Sequence, residues 1–290
     1  MRSAKAISYS HCAQSAFGRG FVQIIETLTG RARLIKHAQD YASEITTTRS
    51  FWQVMADRYD LHLNISSGDL SHIPKRGPVV VVANHPFGIL DGLMLGLILS
   101  RVRDDFRILA NDVFQNAPEV DSAVLPVSFE NSKDAVNANL DTRKRALEHL
   151  TAGGVLAVFP GGTVSTAAHP MGVPLDPEWG RFTARTITRS DAMVVPIFFE
   201  GHTSRMFQIA SHLHINLRLS LLINEFRRGF GSTVNVVIGA SISPDDLAKH
   251  KGNPSKMMDF LRASTYELSP TPIDASTYGF DFDLREKTAH

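Results

Sequence analysis

The chain has 290 residues, 43% hydrophobic and 20% charged, which is the composition of a folded globular protein and excludes an intrinsically disordered one. Its formal net charge of +1 gives no electrostatic reason to expect a nucleic-acid partner, and its single cysteine, Cys12, excludes an internal disulfide or a multi-cysteine metal site and suits a reducing cytosol. No stretch reaches the roughly 18 uncharged apolar residues of a spanning helix, and the N-terminal residues lack the apolar segment of a cleaved signal peptide. The protein is therefore expected in solution or on a membrane surface.

Residues 17–60 carry a helical pattern. Phe17, Phe21, Ile24, Ile25 and Leu28 recur at three- and four-residue spacing, with Arg19, Arg31, Arg33 and Lys36 among them. This fits an interfacial helix whose basic groups meet anionic head groups, and equally a helix packed on the domain with a solvated basic face. From residue 61 the pattern alternates. Strands are predicted at 61–65, 78–84, 106–112, 123–129, 155–160, 192–201 and 233–242. Helices are predicted at 91–102, 134–154, 176–190 and 204–214, and a last one opens behind a capping Ser243. No element is assigned to residues 215–232. The tail from about 269 is expected to be loose.

Alternating strands and helices predict an α/β fold: a single domain with a mostly parallel sheet flanked by helices, preceded by an N-terminal helical segment. The expected division is 1–60 helical, 61–268 catalytic domain and 269–290 tail. In such sheets ligands bind beyond the carboxyl ends of the strands. Two polar loops fall there. "NHPFGILD" (84–91) follows the strand "PVVVVA", and "FPGGTVST" (159–166) follows the strand "VLAV".

A histidine can take a proton from a hydroxyl near neutral pH, since its ordinary pKa is about 6.5. It does so well when a second group fixes its tautomer and stabilises the imidazolium. Asp91 could fold back onto His85 through a turn favoured by Pro86 and Gly88, although a helix cap is its ordinary role. In the second loop, glycines allow close backbone approach to a ligand, and Thr163, Ser165 and Thr166 add hydroxyls. A plain strand-to-helix turn would look the same. No lysine follows the glycines, so this is not a P-loop.

Together, "NHPFGILDG", "VFPGG", Trp179, "VVPIFFEG" (194–201) and "MFQIA" (206–210) resemble the lysophospholipid and glycerolipid acyltransferase superfamily, in particular its bacterial hemolysin-like (lyso-ornithine-lipid type) branch. The resemblance covers about residues 75–245. It implies acyl transfer from acyl-CoA or acyl carrier protein to a lysolipid hydroxyl, with no further cofactor and no metal. It implies His85 as general base and Asp91 as its orienting carboxylate. Asn84, Gly88, Phe159, Pro160, Gly161, Gly162, Thr163 and Ser165 become candidate substrate contacts. The implied place is the cytoplasm, peripheral to the inner face of the cell membrane.

The chain departs from the wider superfamily pattern at four points. Five residues, not four, separate His85 from Asp91, Gly161 and Val164 replace a glutamate and an arginine, and "LPVSFE" (125–130) lacks the arginine that usually ends this strand. The lost arginines argue against a glycerol-phosphate acceptor and favour a lyso-aminolipid, unless Arg181 or Arg185 supplies the cation. Arg143, Lys144 and Arg145 form a candidate patch for an acidic carrier protein. Among rivals, a serine hydrolase lacks its Gly-x-Ser-x-Gly elbow. A metal site at His202, His212 and His214 has no acidic partners. A non-catalytic lipid-binding module on the same fold remains the alternative.

Overall fold

The valine run that drew attention in the sequence becomes the centre of a seven-stranded sheet. The computed structural model describes residues 8–10, 15–111, 118–128 and 133–282. Cys12, Asp112 and Phe129 lie outside them. In chain order the elements are α1 (Ala16–Thr29), α2 (Arg31–His37), α3 (Phe51–Arg58), β1 (His62–Ser67), β2 (Val79–Ala83), α4 (Ile89–Ser100), β3 (Phe106–Asn111), α5 (Pro118–Ala123), β4 (Val124–Val127), α6 (Lys133–Thr151) and β5 (Val155–Val158). There follow β6 (Thr166–Ala167), β7 (Pro174–Leu175), α7 (Arg181–Ser190), β8 (Met193–Phe199), α8 (Arg205–Leu213), α9 (Ile215–Arg228), β9 (Thr233–Ile238), α10 (Pro244–Leu247) and α11 (Pro254–Tyr266).

The sheet order is β1-β9-β8-β2-β5-β3-β4. The block β8-β2-β5-β3-β4 is parallel throughout. β9 runs antiparallel to β8, and β1 follows β9 in parallel. All five residues of β2 are buried, because helices cover both faces. Val79, Val81 and Ala83 join the core under α3, α4, α8 and α9. Val80 and Val82 join the core under α6, α7 and α11. The carboxyl ends of β8, β2 and β5 are thus adjacent, and the two polar loops leave the same central edge.

The sequence expectation needs correction in five places, the last of them the tail. Gly30, at φ 133°, breaks the N-terminal helix between α1 and α2. α7 begins at Arg181, not at 176, since Pro177 disfavours helix at the residue before it. Ser243 does cap a helix, but α10 is a single turn, and the long final helix α11 starts behind Asn253. α9, an amphipathic helix of 14 residues, fills the stretch left unassigned.

The tail is not loose as far as residue 282. Gly279 donates its amide to Asp176 O at 2.9 Å, and Phe280 donates to Thr166 O at 2.9 Å. The buried Arg262 reaches Ala275 O at 2.6 Å and Thr277 O at 2.8 Å. The tail thereby closes over the loops at the sheet edge. Ending the chain at Leu268 removes two of the three carbonyl acceptors of Arg262 and the two backbone bonds of Gly279 and Phe280, which together cost about 2 kcal/mol or more. Calorimetry should show a melting temperature lower by about 4 °C or more. An unchanged melting temperature would mean that the tail carries no stability.

Candidate active site

β2 ends at Ala83, and Asn84 extends it with its side chain. Its Nδ2 donates to Phe199 O at 2.9 Å and its Oδ1 accepts the Phe199 amide at 2.7 Å, continuing the β2–β8 ladder past the end of the strand. One hydrogen of Nδ2 and one lone pair of Oδ1 are engaged by the neighbouring strand, so Asn84 aims the turn. The chain then turns through Pro86 to Gly88, which caps α4 at φ 78°, ψ −112°. That conformation favours glycine, and a Cβ there would also press on Val164 Cγ2 at 3.1 Å.

Asp91 is the third residue of α4, where an acid can reach back to the amides of the first turn. Its Oδ2 accepts from the Phe87 amide at 2.8 Å and the Gly88 amide at 2.9 Å. The same Oδ2 lies 3.0 Å from Nδ1 of His85. The cap and the orienting carboxylate are therefore one group. The Nδ1 approach is close but off the axis of a good hydrogen bond, and Nδ1 and Asp91 Oδ1 have no other partner among the described residues. Such bonds commonly tighten when substrate binds. Asp91 is fully buried, and this desolvation pushes its carboxyl above the ordinary range; the His85 imidazole and the two amides oppose the shift. With Nδ1 turned to the buried Asp91 and the side chain partly exposed, Nε2 is the ring nitrogen left for a ligand. The ring stacks on Phe159 of the second loop, centroids 4.2 Å apart.

The second loop is held against the first. Ser165 donates its amide to His85 O at 2.8 Å, and Gly162 donates to Phe159 O at 3.0 Å, which closes the turn. Pro160 O takes the amide of Gly180 at 2.9 Å. Ser165 is buried, and its hydroxyl bonds Asp176 Oδ1, which also takes the His85 amide at 3.2 Å. Asp176 Oδ2 takes the Trp179 indole at 3.0 Å. From α8, Gln208 donates to Ser165 O at 3.2 Å and accepts the Ala167 amide at 2.9 Å. From α9, Arg218 donates to Thr163 Oγ1 at 2.9 Å and to Val164 O at 2.7 Å. Of the hydroxyls and amides expected to meet substrate, those of Ser165 and the amide of Gly162 are engaged within the protein. Thr163 keeps its own hydrogen.

The comparisons follow this geometry. Residues 42–275 match a family model described as acyltransferase. The chain belongs to the acyltransferase family. Two proteins named lyso-glycine lipid O-acyltransferase, from Phocaeicola vulgatus and Bacteroides thetaiotaomicron, are each 25% identical over 206 residues, covering 69% of this chain and 71% and 73% of theirs. The crystal structure of the 1-acyl-sn-glycerophosphate (LPA) acyltransferase PlsC from Thermotoga maritima aligns over 89% of this chain and 91% of its own, with 16% identity and a TM-score of 0.47.

In this acyltransferase the remaining sequence candidates separate. Arg181 and Arg185 are exposed on α7, and no polar contact joins either to the second loop among the described residues. Val164 is buried against Gly88 instead of facing a ligand. A side chain at Gly161 would begin 3.2 Å from the Asp176 Cβ, so Asp176 already fills that space. The three histidines weighed as metal ligands serve the backbone. His202 Nδ1 faces Thr203 O at 2.8 Å, His212 Nε2 faces Ala167 O at 2.9 Å, and His214 Nδ1 caps α9 at Asn216 N, 3.0 Å away.

Sequence reasoning missed Asp176 as a site residue, and it missed Arg218 and the role of Gln208. The available signals were Asp176 before a proline and the amphipathic run at 215–228.

Burial of Asp91 has a consequence for stability against pH. Its native pKa is raised above the unfolded value of about 3.9. Between those values the native state holds a proton that the unfolded chain has lost. This contribution is complete below the unfolded value and falls away as pH rises through the native one. Asp91→Asn removes it. Its stability relative to the parent, from denaturant unfolding between about pH 4 and pH 7, should therefore improve as pH rises. A difference that is flat or runs the other way would contradict the raised carboxyl.

Proposed function

We propose that this acyltransferase moves a fatty acyl group from a thioester, acyl-CoA or acyl carrier protein, to the hydroxyl of a lysolipid with an amino-acid head group. It acts at the inner face of the cell membrane, with no further cofactor. The observation that carries the reading is a partly exposed histidine whose Nδ1 faces a buried carboxylate 3.0 Å away, which leaves Nε2 for the acceptor.

The acceptor hydroxyl is the nucleophile. His85 Nε2 takes its proton as the oxygen attacks the thioester carbonyl. The tetrahedral intermediate collapses, the C–S bond breaks, and the proton passes from His85 to the departing thiolate. Atoms and charge balance without an acyl-enzyme. Burial makes the Asp91 carboxylate costly while it stands alone, so imidazolium formation beside it is favoured during the reaction more than before it. Phe159 shields one ring face from water. The amino-acid head group fits the absence of a cation at position 164, where Val164 is buried, and the filling of the space beside Gly161 by Asp176, and the names of the two bacterial relatives agree with it.

Membrane attachment rests on an apolar face. Ile24 and Leu28 of α1 are 62% and 80% exposed, and Met206 and Leu213 of α8 are 51% and 67% exposed. Between them runs an open groove of about 570 Å³, lined by Ile25, Ile209, Ala210 and Leu217 among others. No helix among the described residues is long and apolar enough to cross a membrane. The exposed Arg33 and Lys36 on α2 suit anionic head groups. A patch of this kind on a lipid enzyme fits insertion of the face into the head-group layer.

Two measurements test the reading. Thiol release from acyl-CoA or acyl carrier protein with a lyso-aminolipid should fall about a hundredfold or more in His85→Ala, the usual scale of general-base catalysis. Near-parental turnover would remove His85 as base, and lipid binding with no thiol release from either donor would indicate a binding module. In sedimentation with anionic vesicles, the triple variant Ile24→Ser, Leu28→Ser, Leu213→Ser should bind at least about tenfold more weakly, since each buried aliphatic side chain contributes about 1.5 kcal/mol or more. Equal sedimentation would place the membrane contact elsewhere.

A further inference from the structure

Arg218 is a guanidinium 3% exposed, with no carboxylate paired to it among the described residues. Phe207 and Phe282 stack against it at 4.9 and 4.4 Å from its Cζ. Its Nη1 donates to Thr166 Oγ1 at 2.6 Å and Ser211 Oγ at 2.9 Å. Its Nη2 donates to Thr163 Oγ1 at 2.9 Å and Val164 O at 2.7 Å. Four acceptors take the four Nη hydrogens, so neither Nη has one to give a ligand. Desolvation pushes its pKa down to about 9, which leaves it protonated at neutral pH.

Thr163 differs from the other three acceptors. It is partly exposed, in the loop whose Phe159 stacks on the His85 ring and whose Ser165 bonds the His85 carbonyl. Its oxygen already accepts from a cation, so its hydroxyl hydrogen is directed away from Arg218 and finds no acceptor among the described residues. A hydroxyl that accepts from a charged donor becomes a stronger donor itself.

We propose that Arg218 is a positioning residue that sets Thr163 as a polarised hydroxyl donor to an anionic oxygen of the acceptor head group, most simply the carboxylate of an N-acylated amino acid. The inference rests on the acyltransferase reading above, which supplies the acceptor. It also accounts for the cation missing at position 164. The positive charge enters from α9 beneath the loop, reaches the ligand through a hydroxyl, and has room for a carboxylate without a guanidinium fork on the surface. Positioning by an engaged arginine predicts selectivity without direct contact.

The test is equilibrium binding of an N-acyl amino-acid lysolipid, its carboxyl methyl ester and lysophosphatidate, with thiol release recorded on the same samples. The parent should bind the free acid at least about tenfold more tightly than the ester, equivalent to about 1.4 kcal/mol. Thr163→Ser should keep that ratio, and Thr163→Val, nearly the same shape, should bring it close to one. Arg218→Lys keeps the charge but not the fork, and should give an intermediate ratio. If Thr163→Val weakens lysophosphatidate equally, the donor serves anions in general; if it weakens the acid alone, the donor serves carboxylates. Equal binding of acid and ester by the parent, or a ratio unchanged in Thr163→Val, would overturn the proposal. Thiol release with no such discrimination would leave the acyltransferase reading standing without it, and discrimination without thiol release would do the reverse.

Discussion

Oδ2 of Asp91 accepts two amides of the turn that opens α4 and faces the inner nitrogen of His85. One atom thus closes the helix, fixes the turn and faces the histidine we propose as the base. The turn fits five residues between the two side chains because Gly88 takes a backbone conformation closed to most other residues. The carboxylate is fully buried, so its charge is costly unless donors surround it. Two amides supply part of that compensation, and in the proposed mechanism the imidazolium supplies more. In that mechanism a role in folding and a role in chemistry are inseparable at this position.

Around that pair the protein builds rigidity from buried polar groups. Asn84 joins two strands, Asp176 joins two loops, and Gln208, Arg218 and the tail grip the second loop from outside. Each makes multiple bonds, and a fully satisfied buried network specifies one arrangement. The base stacks on Phe159 from the second loop, so any slip of that loop moves the histidine. The catalytic edge of the sheet is therefore a clamp with members from β2, β5, α8, α9 and the C-terminal segment. Its outer side, on α1 and α8, is apolar and open.

Much of this was legible in the sequence. The valine run and "VLAV" are buried on both faces and carry no alternation, so they read as central parallel strands. The two loops read as a site because both follow strands on one edge. What was not legible depends on distance along the chain. Asp176 looked like an acid in a first helical turn, but Pro177 delays the helix and the side chain turns into the core beside Gly161. Arg181 and Arg185 looked like substitutes for the missing arginine because they are near in sequence, yet they face solvent. Arg218 arrives from a helix more than fifty residues beyond the loop, and no local pattern links it to Thr163. The tail's Pro, Thr and Ser suggested a loose end, but its backbone amides had acceptors waiting in the loops.

The orientation of His85 by Asp91 is open to one direct measurement, ¹⁵N NMR of the imidazole in labelled protein at neutral pH. The account predicts the tautomer with the hydrogen on Nδ1 and a bare Nε2, lost when Asp91 is replaced by Asn. A dominant Nε2–H tautomer in the parent protein would contradict it, because the nitrogen facing the substrate would then have no lone pair with which to take a proton.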